Sequence, residues 1–570
     1  MTEEQYLMLG PMPRVAKAAT HRAAGPWCFV GLEEFFPNWE EDFSFAPEPL
    51  RDRDALAVAA AQAQRLVARN IAPLAVHVRP KGSPLPTAYW DMVFGAWLIM
   101  VTQQVVDRWL RVQAMVELWG QEPLTVEILP SDCTFTFGDD HDFVLGGCLG
   151  QTYNHWLMSR LLEPVWPAAW KKVVLSPVHE RQCAADTPLR WKEKAKELAR
   201  QMVLRWPFPA VKGFGLRHML RFSWALRGNT GTEDRSRSLA ALDVPYAQVP
   251  DEHLPCDILP LLYASLPQGI RNARHPAALT PAVRVRTRVA NVSALEDTPY
   301  RMLLARWRGM GHKLVFIQHG GNYGHVRTSS VDPVVEYCQH AFITWGWTKQ
   351  SPCTGNFIPL PHAQLAALRD KHTNTSDQLL FVGSELTVFP YRMDSRLTPC
   401  QVLQYRDDKQ WFFEALPRAV QKQCQYRPYF SVPGALTDAE WLLPRFPLVH
   451  LCSGPLDAHM LSCRLLVLDH HGTTLELGMA ANVPMVMFWD RQAWGLCPET
   501  ETALDDLAAV GIWQPTAESA AMHILHIWDD IPGWWNSEAV QAARQRWMRQ
   551  YALTVPDSIE PYWIKALTSL

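Results

Sequence analysis

Two stretches of the 570-residue chain end an apolar run in a polar, glycine-bearing turn, and both carry side chains able to do chemistry. The first is KLVFIQHGGNYG, Lys313–Gly324. Open parallel sheets bind ligands in the crevice beyond the carboxyl ends of their strands, so Gln318, His319, Gly320 and Gly321 are expected to face a cleft. An imidazole titrates near neutrality, so His319 can donate to a phosphate or accept a proton. The two glycines let a ligand or a second backbone come close. The plainer alternative is a strand-to-loop turn with a hydrogen-bonded histidine.

The second is LLVLDHHGTTLELGMAANVP, Leu465–Pro484. After a strand and a turn holding His471 and Gly472, Thr473 and Thr474 open an amphipathic helix whose free amides can hold a phosphate. Thr473 and Glu476 also have the spacing of a capping box. Turned into the cleft instead, Glu476 would accept from a ribose diol, and the spacing leaves both roles open. His470 and His471 have no further ligand at a metal-type spacing, so no zinc site is assigned.

Two more places complete a nucleotide pocket. Ser384 and Glu385 follow the expected strand LLFVG, and Arg427 in YRPYFSVPG stands at the start of an expected strand, where its planar fork can clamp a phosphate. Neither G-x-x-x-x-G-K-[ST] nor G-x-G-x-x-G occurs, which argues against ATPase and dehydrogenase classes. In FTFGDDHDF, Asp140 and Asp142 are two apart. That spacing can hold a divalent ion but is common in acidic turns, so the preferred role is a single carboxylate acting as base or nucleophile.

These turns need strands to present them. LAVHV (74–78), KVVLS (172–176), KLVFI (313–317), AFITW (341–345), LLFVG (379–383), LVHLC (448–452), LLVLD (465–469) and PMVMF (484–488) read as strands. Helical patterns separate several of them, including a long one at 89–120, and others at 293–311 and 410–425. Short apolar strands alternating with longer helical patterns predict an α/β class with parallel sheets. Residues 348–377 lose periodicity and gain Pro, Ser, Thr and Asn. The expected division is therefore a first lobe at 1–350 with a helical insertion, a linker at 351–377 and a nucleotide-binding second lobe at 378–570, facing each other across a cleft.

Bulk composition narrows the classes. The length exceeds the roughly 250–300 residues at which single cores stop growing. A formal net charge of −3 gives no basic footprint for nucleic acid. The 12 cysteines show no C-x-x-C pair and read as reduced thiols. The N-terminus has acidic residues where a signal peptide needs basic ones, and the apolar run at 92–101 is about half of the roughly 20 residues that span a bilayer. A cytoplasmic location is expected.

GPWCF (25–29), YWDMVFGAWL with DRW (89–98, 107–109), QHGGNYG with FITWGW (318–324, 342–347) and DHHGTTLELGMAANVPMVMF together resemble a bacterial family of transferases of surface-polysaccharide biosynthesis, similar to two-lobed GT-B glycosyltransferases. The resemblance implies two Rossmann-like lobes with a central cleft. It further implies a nucleotide-sugar donor held by the second lobe and a glycan or lipid-linked glycan acceptor presented by the first, at the inner face of the cytoplasmic membrane as a peripheral association. His319, Gly320 and Gly321 would then face the reacting centre, and Gly472, Thr473, Thr474 and Glu476 the nucleotide. Related capsule and lipopolysaccharide enzymes make CMP-Kdo or another CMP-ulosonate the donor by analogy. Helix amides with His319 or Arg427 would meet the charge on the leaving phosphate with no metal or other cofactor required, and Asp140 or Asp142 would act on the acceptor or the sugar. Inverting and retaining outcomes both stay open. The competing readings are a nucleotide-sugar epimerase of the same architecture, which needs no acceptor, and a non-catalytic glycan-binding protein that stacks sugars on some of the 25 tryptophans.

Overall fold

The computed structural model describes residues 3–78, 86–182, 206–227, 233–242, 254–255, 257–271 and 285–570. Seventeen strands are present among them. In the first part of the chain these are β1 (Gln5–Met8), β2 (His21–Ala23), β3 (Ser44–Phe45), β4 (Leu124–Ile128), β5 (Thr134–Phe137), β6 (Lys171–Val174) and β7 (His179–Gln182). Next come β8 (Thr287–Ala290), β9 (Lys313–Ile317), β10 (Ala341–Thr344) and β11 (Phe357–Pro359). The last part holds β12 (Leu379–Val382), β13 (Cys424–Arg427), β14 (His450–Leu451), β15 (Leu465–Leu468), β16 (Met485–Phe488) and β17 (Trp513–Gln514).

They form sheets ordered β3-β2-β1-β4-β6, β11-β10-β9-β8 and β14-β13-β12-β15-β16-β17, with a ribbon of β5 and β7. Every pairing between these strands is parallel. The α/β expectation with parallel sheets therefore holds.

The apolar runs exist because these strands are covered on both faces. In β15, Leu466 and Leu468 enter the main core, while Leu465 and Val467 enter a second cluster with Phe381, Phe412 and Phe488. In β9, Leu314 and Phe316 face the main core, and Val315 and Ile317 face a third cluster. Each such side chain, fully buried, contributes about 1.5–3 kcal/mol, so neither strand can slip by one residue without exchanging faces.

Several expectations are corrected. LAVHV is not a strand but the end of the helix Arg53–Val78. A five-residue apolar run does not separate the two, and here Ala57, Ala60, Ala61 and Leu74 extend one buried helical surface. The segment 351–377 is more than a linker. β11 pairs with β10, and the helix Ala363–Leu368 follows it. The part before residue 378 carries two parallel sheets rather than one. The chain also returns at its end, where Trp563 of the helix Glu560–Ser569 packs against Phe208 and Phe222 in the third cluster.

The pattern at 89–120 is one helix, Thr87–Trp119. Among the described residues no helix is long and apolar enough to cross a membrane. This helix positions the site from behind. Gln103 accepts from the Met393 amide at 3.1 Å, and Arg108 donates to the Pro390 carbonyl at 2.8 Å, which ties down the loop that follows β12.

Candidate active site

The six-stranded sheet has the order 3-2-1-4-5-6, so its topology reverses between β12 and β15. Ligands of open α/β sheets bind at such a switch point. A cavity of about 840 Å³ opens there, within the range of small-molecule sites. Its lining includes Ser384 and Glu385 after β12, Arg427 after β13, His470 to Thr474 after β15, and His319, Gly320 and Gly321 after β9.

The two glycine-bearing turns do more than face each other. The Gly321 amide donates to the Thr473 hydroxyl at 2.9 Å. A Cβ built on Gly321 would stand 2.4 Å from the Gly472 carbonyl carbon and 2.5 Å from the Thr473 nitrogen. Only glycine permits that approach, because the atoms it would strike are backbone. Gly321→Ala is expected to push the turns apart, at about 1–3 kcal/mol of strain. Since a displacement near 1 Å costs about a hundredfold in rate, a fall of that order in turnover with a lowered melting temperature would confirm the contact.

The motifs QHGG and WGW are joined by one side chain. Gln318 accepts from the Trp345 amide at 2.8 Å and from the Trp347 indole at 2.9 Å, and donates to the Gly320 carbonyl at 2.8 Å. It is buried and does not line the cavity, so the expected ligand contact is corrected to a bracket that sets the turn's shape. At Gly324, φ is +81° and a Cβ would strike the Trp347 ring at 2.6 Å, so this end of the turn also requires glycine.

His319 is open to the cavity. The protein mass around it, and then the positive charge of Arg392, push its pKa down to about 4. The ring is neutral at pH 7. Its Nδ1 lies 3.0 Å from the Tyr323 hydroxyl, and its Nε2 has no partner among the described residues.

One wall of the cavity carries cations and helix amides. The helix Thr473–Ala481 begins at the cavity wall. Its far end is secured at Asn482, which takes the left-handed conformation at φ 63° and accepts from the Trp535 indole at 2.9 Å. Arg392 and Arg427 line the cavity, and among the described residues neither forms an ion pair. Arg427 ends β13 rather than beginning a strand, and donates to the Cys452 carbonyl at 3.2 Å. Arg396, by contrast, is neutralised by Glu385. His471 is 3% exposed, and neither ring nitrogen has a partner among the described residues. Burial first, then His325, His470 and Arg396, lower its pKa well below the usual value, so it presents one neutral donor and one acceptor. Buried polar atoms are normally satisfied, and His471 also lines the cavity.

Three expected residues stand elsewhere. Glu476 is fully buried, 3.0 Å from His325 Nε2, and accepts from the Trp547 indole at 3.0 Å. It neither caps its helix nor reaches the cavity, because its position on the helix turns it inward. Asp140 is 1% exposed and accepts from Arg301 at 2.6 Å and from Thr298 at 2.5 Å. Asp142 accepts from the Gly138 amide at 3.1 Å within its own turn. Neither aspartate lines the cavity.

The carboxylates that do are Asp332, Asp394 and Glu385. Burial and the neighbouring Asp394 raise Asp332 to about 6. Arg392 and Asp394 come from PYRMDSR, a polar stretch just past VGSE. Its alternation of opposite charges beyond a strand tip was the available signal.

Fold and cavity together define a doubly wound α/β protein with a polar cavity at its switch point. A family model matches residues 5–567, and the chain belongs to that family, the LIC12162 family of transferases. The expected transferase class is thereby borne out. No curated protein matches the chain. Among solved structures it is similar to a point mutant of the O-GlcNAc transferase of Thermobaculum terrenum, at 12% identity and a TM-score of 0.27, over 91% of this chain and 81% of that one. That likeness is too distant to transfer any residue's role.

Proposed function

We propose that this transferase is a glycosyltransferase that moves a sugar from a nucleotide donor to a hydroxyl of a glycan or lipid-linked glycan in surface-polysaccharide synthesis. On this reading it works in the cytoplasm at the inner face of the membrane, and its two sheet-bearing halves form a GT-B-like cleft. One observation carries the proposal. At the switch point, the start of the helix Thr473–Ala481 shares a cavity with the guanidiniums of Arg392 and Arg427, neither of which forms an ion pair among the described residues. Helix amides and bidentate guanidiniums suit phosphate oxygens.

As the bond from the anomeric carbon to the phosphate oxygen breaks, its electron pair stays on the phosphate. The amides of Thr473 and Thr474, with Arg392 and Arg427, meet that charge without moving. The acceptor hydroxyl bonds to the anomeric carbon and gives its proton to Nε2 of His319. A bound phosphate also offsets Arg392, which raises the basicity of His319 once the donor is in place. Protein groups meet all the charge in this scheme, and no step passes through a metal.

The donor proposed is CMP-Kdo or another CMP-activated ulosonate. A thermal-shift panel of CMP, CDP, UDP and GDP tests it. A ligand that binds only the folded form adds about 2.7 kcal/mol at a hundredfold excess over Kd. A rise with CMP alone is the expected result. A rise with UDP or GDP alone changes the donor, and no rise with any of the four removes the nucleotide site. Turnover of the donor without an acceptor identifies an epimerase instead.

A further inference from the structure

Behind His319 lies a second pair of groups that the scheme above does not use. Tyr323, four residues on in the same turn, donates its hydroxyl to Glu336 Oε2 at 2.7 Å and lies 3.0 Å from His319 Nδ1. Glu336 belongs to the π-helical segment Pro333–Tyr337, a rare geometry found often at functional sites. Its side chain is 0% exposed, and Oε1 has no partner among the described residues. A carboxyl kept wholly from water, tied to the cavity only through a tyrosine and a histidine, has no evident packing purpose.

The directions of the bonds are informative. An ionised Glu336 can only accept, so the Tyr323 hydroxyl donates to it, the Tyr323 oxygen is free to accept, and His319 then carries its proton on Nδ1. That leaves the Nε2 lone pair for the cavity. We propose that Tyr323 and Glu336 are positioning and relay residues for His319: Tyr323 holds the imidazole as the Nδ1–H tautomer, and Glu336 is the final store for the proton leaving the acceptor. The proposal rests on the reading of His319 as the base.

The step balances. The acceptor O–H breaks and its proton goes to Nε2. The Nδ1 proton passes to the Tyr323 oxygen while the Tyr323 proton passes to Glu336. Histidine and tyrosine end neutral, Glu336 becomes a carboxylic acid, and its negative charge is matched by the new charge on the departing phosphate.

The surroundings suit a proton store. Burial first, and Asp332 on the same segment second, raise the pKa of Glu336 well above the ordinary range, while the Tyr323 bond and Arg392 oppose them. Asp394 acts on Asp332 in turn. The helix Thr87–Trp119 meets the segment through Gly95, against Val334 and Val335, and β10 meets it through Phe342 against Tyr337. Because Glu336 must be ionised before each turnover, the rate rises with pH as this group loses its proton.

Two measurements test this. In protein labelled with ¹⁵N-histidine, with His319 assigned by difference from His319→Gln, the nitrogen shifts should show the Nδ1–H tautomer, and Tyr323→Phe should abolish that preference. In transfer assays, Tyr323→Phe and Glu336→Gln should each lower kcat about 10–100-fold with the donor KM unchanged, and Glu336→Gln should remove the limb of kcat owed to Glu336, leaving only the one owed to His319, while keeping the Tyr323 bond. A wild-type Nε2–H tautomer, or an acid limb unaltered in Glu336→Gln, overturns the relay. The tautomer is read without any substrate. Absence of glycosyl transfer with the expected tautomer would therefore count against the function alone.

Discussion

His319→Gln is expected to lower kcat by about 10²–10⁴-fold, the usual contribution of a positioned general base, while nucleotide binding measured by thermal shift persists. On the proposed reading the phosphate is held by the helix Thr473–Ala481, Arg392 and Arg427, none of which needs the imidazole to stay in place. The pH profiles carry a second expectation. His319 sits at about 4 in the free protein, and a bound phosphate raises it. Since kcat/KM reports the free enzyme and kcat the loaded complex, the limb owed to His319 in kcat/KM should fall near pH 4, and its counterpart in kcat should lie higher. Loss of nucleotide binding together with activity in His319→Gln would instead make the residue a ligand of the donor.

Asp140→Ala is expected to destabilise the protein by about 3–5 kcal/mol, the cost of breaking a buried ion pair from one side. Asp140 and Arg301 are 1% and 0% exposed. Arg301 would keep its bonds to the carbonyls of Val93 and Ala294, but its charge would lose its counterion in a medium that screens weakly. Activity per folded molecule should stay the same. The measurements are a denaturant midpoint and kcat normalised to the folded fraction. A variant of normal stability with lost activity would restore the role of base or nucleophile expected of a single carboxylate in this turn.

The contrast between Asp140 and His319 shows how much of the site was legible. Both stand in polar turns that follow a strand, but only the one before His319 was expected. His319 follows a strand in a parallel sheet, and the C-terminal position of such a turn is a local property that sequence carries. Asp140 follows β5 in a two-stranded ribbon, and its partner Arg301 lies 161 residues away. No spacing rule announces a bond over that separation. Glu476 failed for a related reason. Its helix was foreseen, but which face meets Trp547 depends on how the helix Glu538–Tyr551 returns to cover it. Arg392 was missed because the loop after β12 is shaped by Gln103 and Arg108 from a helix nearly 300 residues earlier.

What the chain determined by itself was the local pattern. Runs such as Leu465–Leu468 are apolar at every position because both sheet faces must be dry, and the glycines and threonines after them mark where the backbone turns outward with amides to spare. What only the tertiary structure decided was which turns meet. Gly321 against Thr473, Gln318 between Trp345 and Trp347, and Glu336 behind Tyr323 are contacts between segments whose separations range from 13 to 152 residues. Hydrophobic periodicity orients each element toward a core. It does not say which polar side chains two oriented elements will bring within 3 Å of each other, because that depends on the packing of everything between them.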